Sequence, residues 1–176
     1  GRGDIKNCDN ILAGRVANTK INVSGNPRIY GSVFGGGEMA SVGYWHEVNG
    51  KQVFYANSGA TEVTIGRAGQ NDNPVIGTDR EYETDYLTDN PSYWTVIGSD
   101  GKLVHTCTGN VFGGCQGDVD TISPHWVSMA RSRTAKVVIN GGTIKSEVFG
   151  GAEQGTIAGN TSVTVNGGTI GTEVTM

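Results

Sequence analysis

The chain has 176 residues, a formal net charge of −4, 29 glycines and only 4 prolines. That length suffices for one domain with a real core or for part of a larger one, while glycine at more than twice its usual share of about 7%, with so little proline, excludes a collagen-like chain or a proline-rich linker. Sparse charge leaves no basic footprint for nucleic acid, no apolar run approaches the ~18 residues that span a bilayer, and residues 1–20 lack the apolar core of a signal peptide.

In chain order, Ile11-Leu12-Ala13-Gly14 reads as the tail of a repeat begun upstream. The first full copy runs from Thr19-Lys20-Ile21-Asn22-Val23-Ser24-Gly25 through Ile29 to Val33-Phe34-Gly35-Gly36-Gly37. A second starts at Thr61-Glu62-Val63-Thr64-Ile65-Gly66 and is expected to resume at Thr106-Cys107, then at Val111-Phe112-Gly113-Gly114. The plainest copies come last. Residues 135–144 (AKVVINGGTI) and 161–170 (TSVTVNGGTI) align at an offset of 26.

Within each copy apolar residues alternate with polar ones, as Val63 and Ile65, Val137 and Ile139, or Val163 and Val165 do. A period of two with β-branched residues on one face predicts strands. Ile144 and Val148, four apart, are expected on the same side of a second strand, and Val42, Val119 or Ile157 on a third short one. Glycine pairs mark the corners. No stretch shows a helical period. Three short strands in about 26 residues make one coil of a parallel β-helix, whose inner face is covered only when the next copy stacks on it.

Three stretches interrupt the repeat, at about 44–59, 67–105 and 120–133. They hold all three tryptophans, all three histidines and five of the six tyrosines. The first and third are expected at the same corner of successive coils, forming one composite surface. Insertions in repeat proteins lie on the solenoid surface, commonly its binding face. The candidate ligand-binding residues are therefore Tyr44, Trp45, Tyr93, Trp94, His125 and Trp126. Rings with polar neighbours suit a glycan, and Tyr and Trp equally suit a protein partner. The structural alternative for any one ring is a satellite core under its loop.

The three cysteines, Cys8, Cys107 and Cys115, match neither a disulfide framework nor a zinc pattern. They read as reduced small hydrophobes, with a Cys107–Cys115 bridge as the alternative. Alignment puts Cys107 at the inward position of Ile29, Ile144 and Ile170, and Cys115 at the small-residue corner of Gly37 and Ala152. No cofactor is expected. Calcium is the one metal to weigh, at Asp79, Glu81, Glu83, Asp85 and Asp89 or in Gly113–Asp120, but neither spacing matches an EF-hand or the repeating nonapeptide. Asn22-Val23-Ser24 and Asn160-Thr161-Ser162 fit the glycosylation sequon, and Arg2-Gly3-Asp4 is a chance-length match to the integrin tripeptide.

The V-F-G-G and T-x-V-x-[IV]-x-G-G-x-I phrases resemble the repetitive right-handed parallel β-helices of large bacterial surface and secreted proteins, adhesin-like and autotransporter-passenger-like, with pectate-lyase-like enzymes as distant architectural relatives. The likeness covers residues 11–66 and 106–174 without the insertions. It implies an all-β solenoid spanning 1–176 as a single segment of a longer chain, displayed extracellularly or at the cell surface. The implied function is a non-catalytic scaffold whose loops bind glycan or protein, with more coils or another subunit at the open ends. The alternative is a polysaccharide-active lyase or hydrolase. No catalytic residue is nominated. Glu62 stands between Lys20 and Lys136 on the outward face, which reads as an ion-pair ladder, and hydrolysis needs two carboxylates at a set separation. The only mixed loop group is Asp118 and Asp120 with His125, Arg131 and Arg133.

Overall fold

The computed structural model describes residues 14–38, 40–79, 96–97, 103–104, 107–117 and 130–171, with 78–79, 96–97, 103–104 and 107–108 described by their backbone. Among these residues the fold is all-β with parallel sheets and no helix.

The chain crosses the same sheets in the same order on each pass. The first pass supplies β1 (Thr19–Val23), β2 (Arg28–Ile29) and β3 (Val33–Phe34). The second carries a hairpin, β4 (Trp45–Val48) and β5 (Lys51–Phe54), before β6 (Ala60–Ile65) and β7 (Val75–Ile76). It continues through β8 (Thr78–Asp79), β9 (Val96–Ile97), β10 (Leu103–Val104) and β11 (Cys107–Thr108) to β12 (Val111–Phe112). The third pass is β13 (Arg131–Ser132), β14 (Thr134–Ile139), β15 (Thr143–Ile144) and β16 (Val148–Phe149). The fourth is β17 (Thr156–Ile157), β18 (Thr161–Val165) and β19 (Thr169–Ile170).

One four-stranded sheet has the order β1-β6-β14-β18, a second β19-β15-β7-β2, and a three-stranded sheet β16-β12-β3. Register keeps like residues together. Ile21, Val63, Val137 and Val163 form one row, and Val23, Ile65, Ile139 and Val165 the next. Val63, Ile65, Val137 and Ile139 are fully buried and join Ile76, Val111 and Ile144 in one core cluster. Each such side chain contributes about 1.5–3 kcal/mol of burial. On the three-stranded sheet Phe34, Phe112 and Phe149 stack at 5.0 and 4.8 Å, a spacing set by the distance between neighbouring strands.

The outward face carries the expected ladder, with Glu62 3.3 Å from Lys20 and 3.9 Å from Lys136. Cys115 is a buried free thiol, so the Cys107–Cys115 bridge does not form.

Four expectations are corrected. The ladder position assigned to Cys107 belongs to Ile76, which pairs with both Ile29 and Ile144; Cys107 instead pairs antiparallel with Asp79. Val75–Ile76 thus lies inside the stretch read as the 67–105 interruption, because a short apolar dipeptide among Asn, Gly and Pro carries little periodic signal. Ile144 and Val148 sit on separate strands of different sheets, and meet only in the core. Val163 and Val165, read as core, are 42% and 53% exposed because no described strand lies beyond β18. In the short-strand column, the third-pass partner of Ile157 is Ser132, while Val119 lies outside the described residues.

Candidate functional site

The interruption at 44–59 is a β-hairpin, and its turn explains why. Asn49 and Gly50 both have positive φ, 51° and 74°, as a two-residue type I′ turn requires. Trp45 then faces Phe54, His46 faces Val53, and Val48 faces Lys51. At the base, the Ser58 hydroxyl accepts from the Tyr44 backbone N–H and donates to the Tyr44 carbonyl oxygen. The chain enters and leaves through Gly43 and Gly59, both with positive φ.

Alternation gives the hairpin two unlike faces. Trp45, Glu47, Gln52 and Phe54 share one, and His46, Val48, Lys51, Val53 and Tyr55 the other. On the first face the Trp45 and Phe54 rings meet edge to face at 5.2 Å. The guanidinium of Arg15 lies 3.2 Å from the centroid of the Trp45 ring, a cation–π contact. Gln52 accepts a hydrogen bond from Arg131 Nη1, and the Ser58 carbonyl accepts one from Arg133 Nε at 2.7 Å. Burial lowers the Arg15 pKa to about 10, against an opposing contribution from Tyr44. On the second face His46 and Tyr55 are ring neighbours at 4.9 Å, and Val48, Val53 and Tyr55 are 43%, 42% and 53% exposed.

Of the sequence candidates, Tyr44 and Trp45 are described, and Trp45 stacks on Arg15. Trp45 turns toward the body of the protein and Tyr44 remains 45% exposed. Tyr93, Trp94, His125 and Trp126 lie outside the described residues, as do Glu81, Glu83, Asp85, Asp89, Asp118 and Asp120. The first and third interruptions do not leave from one corner. The hairpin leaves after Val42 and returns at Gly59, whereas the third stretch departs after Gly117 and returns at Ala130, ahead of the Ser132 position. The residues that anchor the two interruptions therefore lie on opposite sides of the same column of short strands.

His46, Tyr55 and Arg15 were missed as site residues. The signal for the first two was Asn49-Gly50 flanked by alternating residues, a strong local hairpin mark. Arg15 had no local signal, because a contact from the first pass to the second is invisible in sequence spacing.

Elsewhere a cavity of ≈ 380 Å³ is lined by Asn22, Ser24, Thr64, Arg67 and Asn140 among others. Its arginine is engaged, since Arg67 Nε and Nη2 bind both oxygens of Asp72 at 2.9 and 2.8 Å. Among the described residues no three His, Cys, Asp or Glu side chains gather as a metal site, and no helix is long and apolar enough to cross a membrane. Comparison with protein-family models, curated proteins and solved structures found no match.

Proposed function

We propose that the chain is a segment of a right-handed parallel β-helix that acts as a non-catalytic, surface-exposed scaffold, with the β4–β5 hairpin as its glycan-binding element. The solenoid reading is supported by the repeated order of strands across in-register sheets and by the 26-residue offset between the last two passes. Its extracellular or cell-surface setting rests on the resemblance of the V-F-G-G phrases. The free edge of β18 is suited to a further coil or another subunit.

One observation carries the ligand reading: the exposed Tyr55 ring beside His46 on the solvent face of the hairpin. Sugar CH groups stack on such rings while neighbouring polar groups hold the hydroxyls. The test is a glycan array probed with the intact chain and with its Tyr55→Ala variant. Specific binding weakened by the substitution supports the reading, and release of new reducing ends would overturn the non-catalytic part. Exposed Val48 and Val53 favour a second reading, a protein partner, because aliphatic area suits a protein interface better than a sugar. A Val48→Ser, Val53→Ser double variant that keeps glycan binding excludes this second reading.

A further inference from the structure

The sequence holds three Asn-Gly dipeptides, Asn49-Gly50, Asn140-Gly141 and Asn166-Gly167. Asparagine is a chemically labile residue, and glycine after it removes the steric guard. With no Cβ in the way, the glycine backbone nitrogen can swing onto the side-chain carbonyl carbon of the asparagine. The fold treats these three like dipeptides differently.

Two are tied into the stack. Asn140 Nδ2 donates to the Gly66 carbonyl oxygen at 3.0 Å, and Asn140 Oδ1 accepts from Asn166 Nδ2 at 2.8 Å. Their backbone N–H groups donate to the Ile65 and Ile139 carbonyl oxygens of the preceding passes. The glycines are hemmed in as well. A Cβ at Gly141 would stand 2.9 Å from the Asp72 carbonyl oxygen, and one at Gly167 3.1 Å from that of Asn140. Ring closure at either site requires neighbouring passes to part, against the buried row that holds Ile65 and Ile139.

Asn49-Gly50 is the exception. Both residues are exposed at the tip of the β4–β5 hairpin, and a Cβ at Gly50 would meet nothing within 4 Å. Among the described residues nothing holds the Asn49 amide. The pairing that its backbone must disturb is the last of the hairpin, Val48 with Lys51. Exposed ends of this kind open at little cost.

We propose that Asn49 is a site of spontaneous backbone rearrangement that resets the hairpin. The Gly50 nitrogen, its proton passed to solvent, bonds to Asn49 Cγ; the Cγ–Nδ2 bond breaks and Nδ2 leaves as ammonia. Water then opens the imide ring. Opening at Cγ leaves aspartate at position 49, and opening at the backbone carbonyl carbon leaves isoaspartate, with the chain routed through the side chain. Water enters and ammonia leaves, and nothing is oxidised or reduced. The isoaspartyl link lengthens the backbone of a turn that must hold the I′ conformation, so the pairing of β4 with β5 is lost from the tip inward. The stacked core is untouched. The reaction involves no ligand and stands apart from the glycan reading.

The intact chain is incubated in mildly alkaline buffer, and peptide mapping follows amide loss at the three asparagines, with an isoaspartyl methyltransferase marking the rearranged link. A sample in denaturant is the reference. Comparable conversion at all three sites is expected in denaturant. In the folded chain Asn49 is expected to convert on the order of tenfold faster than Asn166, with Asn140 slowest, because only Asn49 reacts without opening the stack. Converted chains should exchange amide hydrogens faster at His46 and Val53, with Val63 and Val137 unchanged. Asn49→Gly keeps a turn of the same type and has no amide to lose, so its exchange pattern should not change over the same incubation. Folded-state rates that match at the three sites, or that favour Asn140 or Asn166, overturn the proposal. So does an Asn49 still intact when the denatured reference is consumed. Conversion at Asn49 without faster exchange at His46 and Val53 overturns its role in resetting the hairpin.

Discussion

A methyl group added at Gly113 has nowhere to go. Its Cβ would stand 2.6 Å from the Gly150 carbonyl oxygen, 3.1 Å from Val137 Cγ2 and 3.2 Å from Ala135 Cβ. The V-F-G-G phrase thus uses glycine to let successive passes approach. Gly113→Ala is expected to cost about 1–3 kcal/mol, as overpacking does, and a denaturant midpoint within error of the parent would refute this. Asp72 makes a different kind of prediction. Its buried carboxylate accepts from the Arg67 side chain and from the Arg67 backbone N–H at 2.9 Å. The Arg67 side-chain hydrogen bond, the largest contribution, holds its pKa well below the usual carboxylate range, against desolvation. A depressed folded-state pKa contributes stability that is present above the unfolded value of about 4 and is lost as pH falls below it. Asp72→Asn is therefore expected to be less stable at pH 7 and to lose less melting temperature than the parent between pH 5 and pH 2. Parallel pH profiles for the two chains would sink the assignment.

At the scale of elements, the hairpin stands or falls with its turn. Gly50 at φ 74° occupies a conformation a β-branched residue resists. Gly50→Val is expected to loosen β4 and β5 while leaving the core rows intact. Hydrogen exchange should accelerate at His46 and Val53 and stay slow at Val63 and Val137; uniform acceleration would show that the hairpin is integral to the core. This element marks where sequence reading reaches and where it stops. The long strands β6, β14 and β18 were legible because five or six alternating residues give a clear period. The dipeptides were not, since two residues have no period. On sequence alone Cys107 competes with Val75–Ile76 for the ladder position and Ile144 joins Val148, whereas pairing register separates them. In the candidate site, aromatic content marks the 44–59 stretch as an interruption of the repeat. Which ring faces solvent depends on pairing register, and the partnership of Arg15 with Trp45 depends on how passes stack.

For the whole molecule, burial along one row reports where the stack is closed. Val63 and Val137 are 0% exposed, whereas Val163 in the same row is 42% exposed. The three residues are chemically alike and share register, so only the presence of a strand on both sides distinguishes them. Stability in stacked repeats is approximately a sum of nearest-neighbour terms, and the edge pass has one neighbour instead of two. Val137→Ala is then expected to cost about 2 kcal/mol or more, from lost burial plus the cavity left behind. Val163→Ala is expected to cost less than about 1 kcal/mol, since its surroundings are already open to water. Chemical denaturation of both variants measures the difference directly. Equal costs would mean that β18 is covered under the conditions of the measurement, and dilution of the sample would then separate cover by a second molecule, which weakens as concentration falls, from cover within the chain.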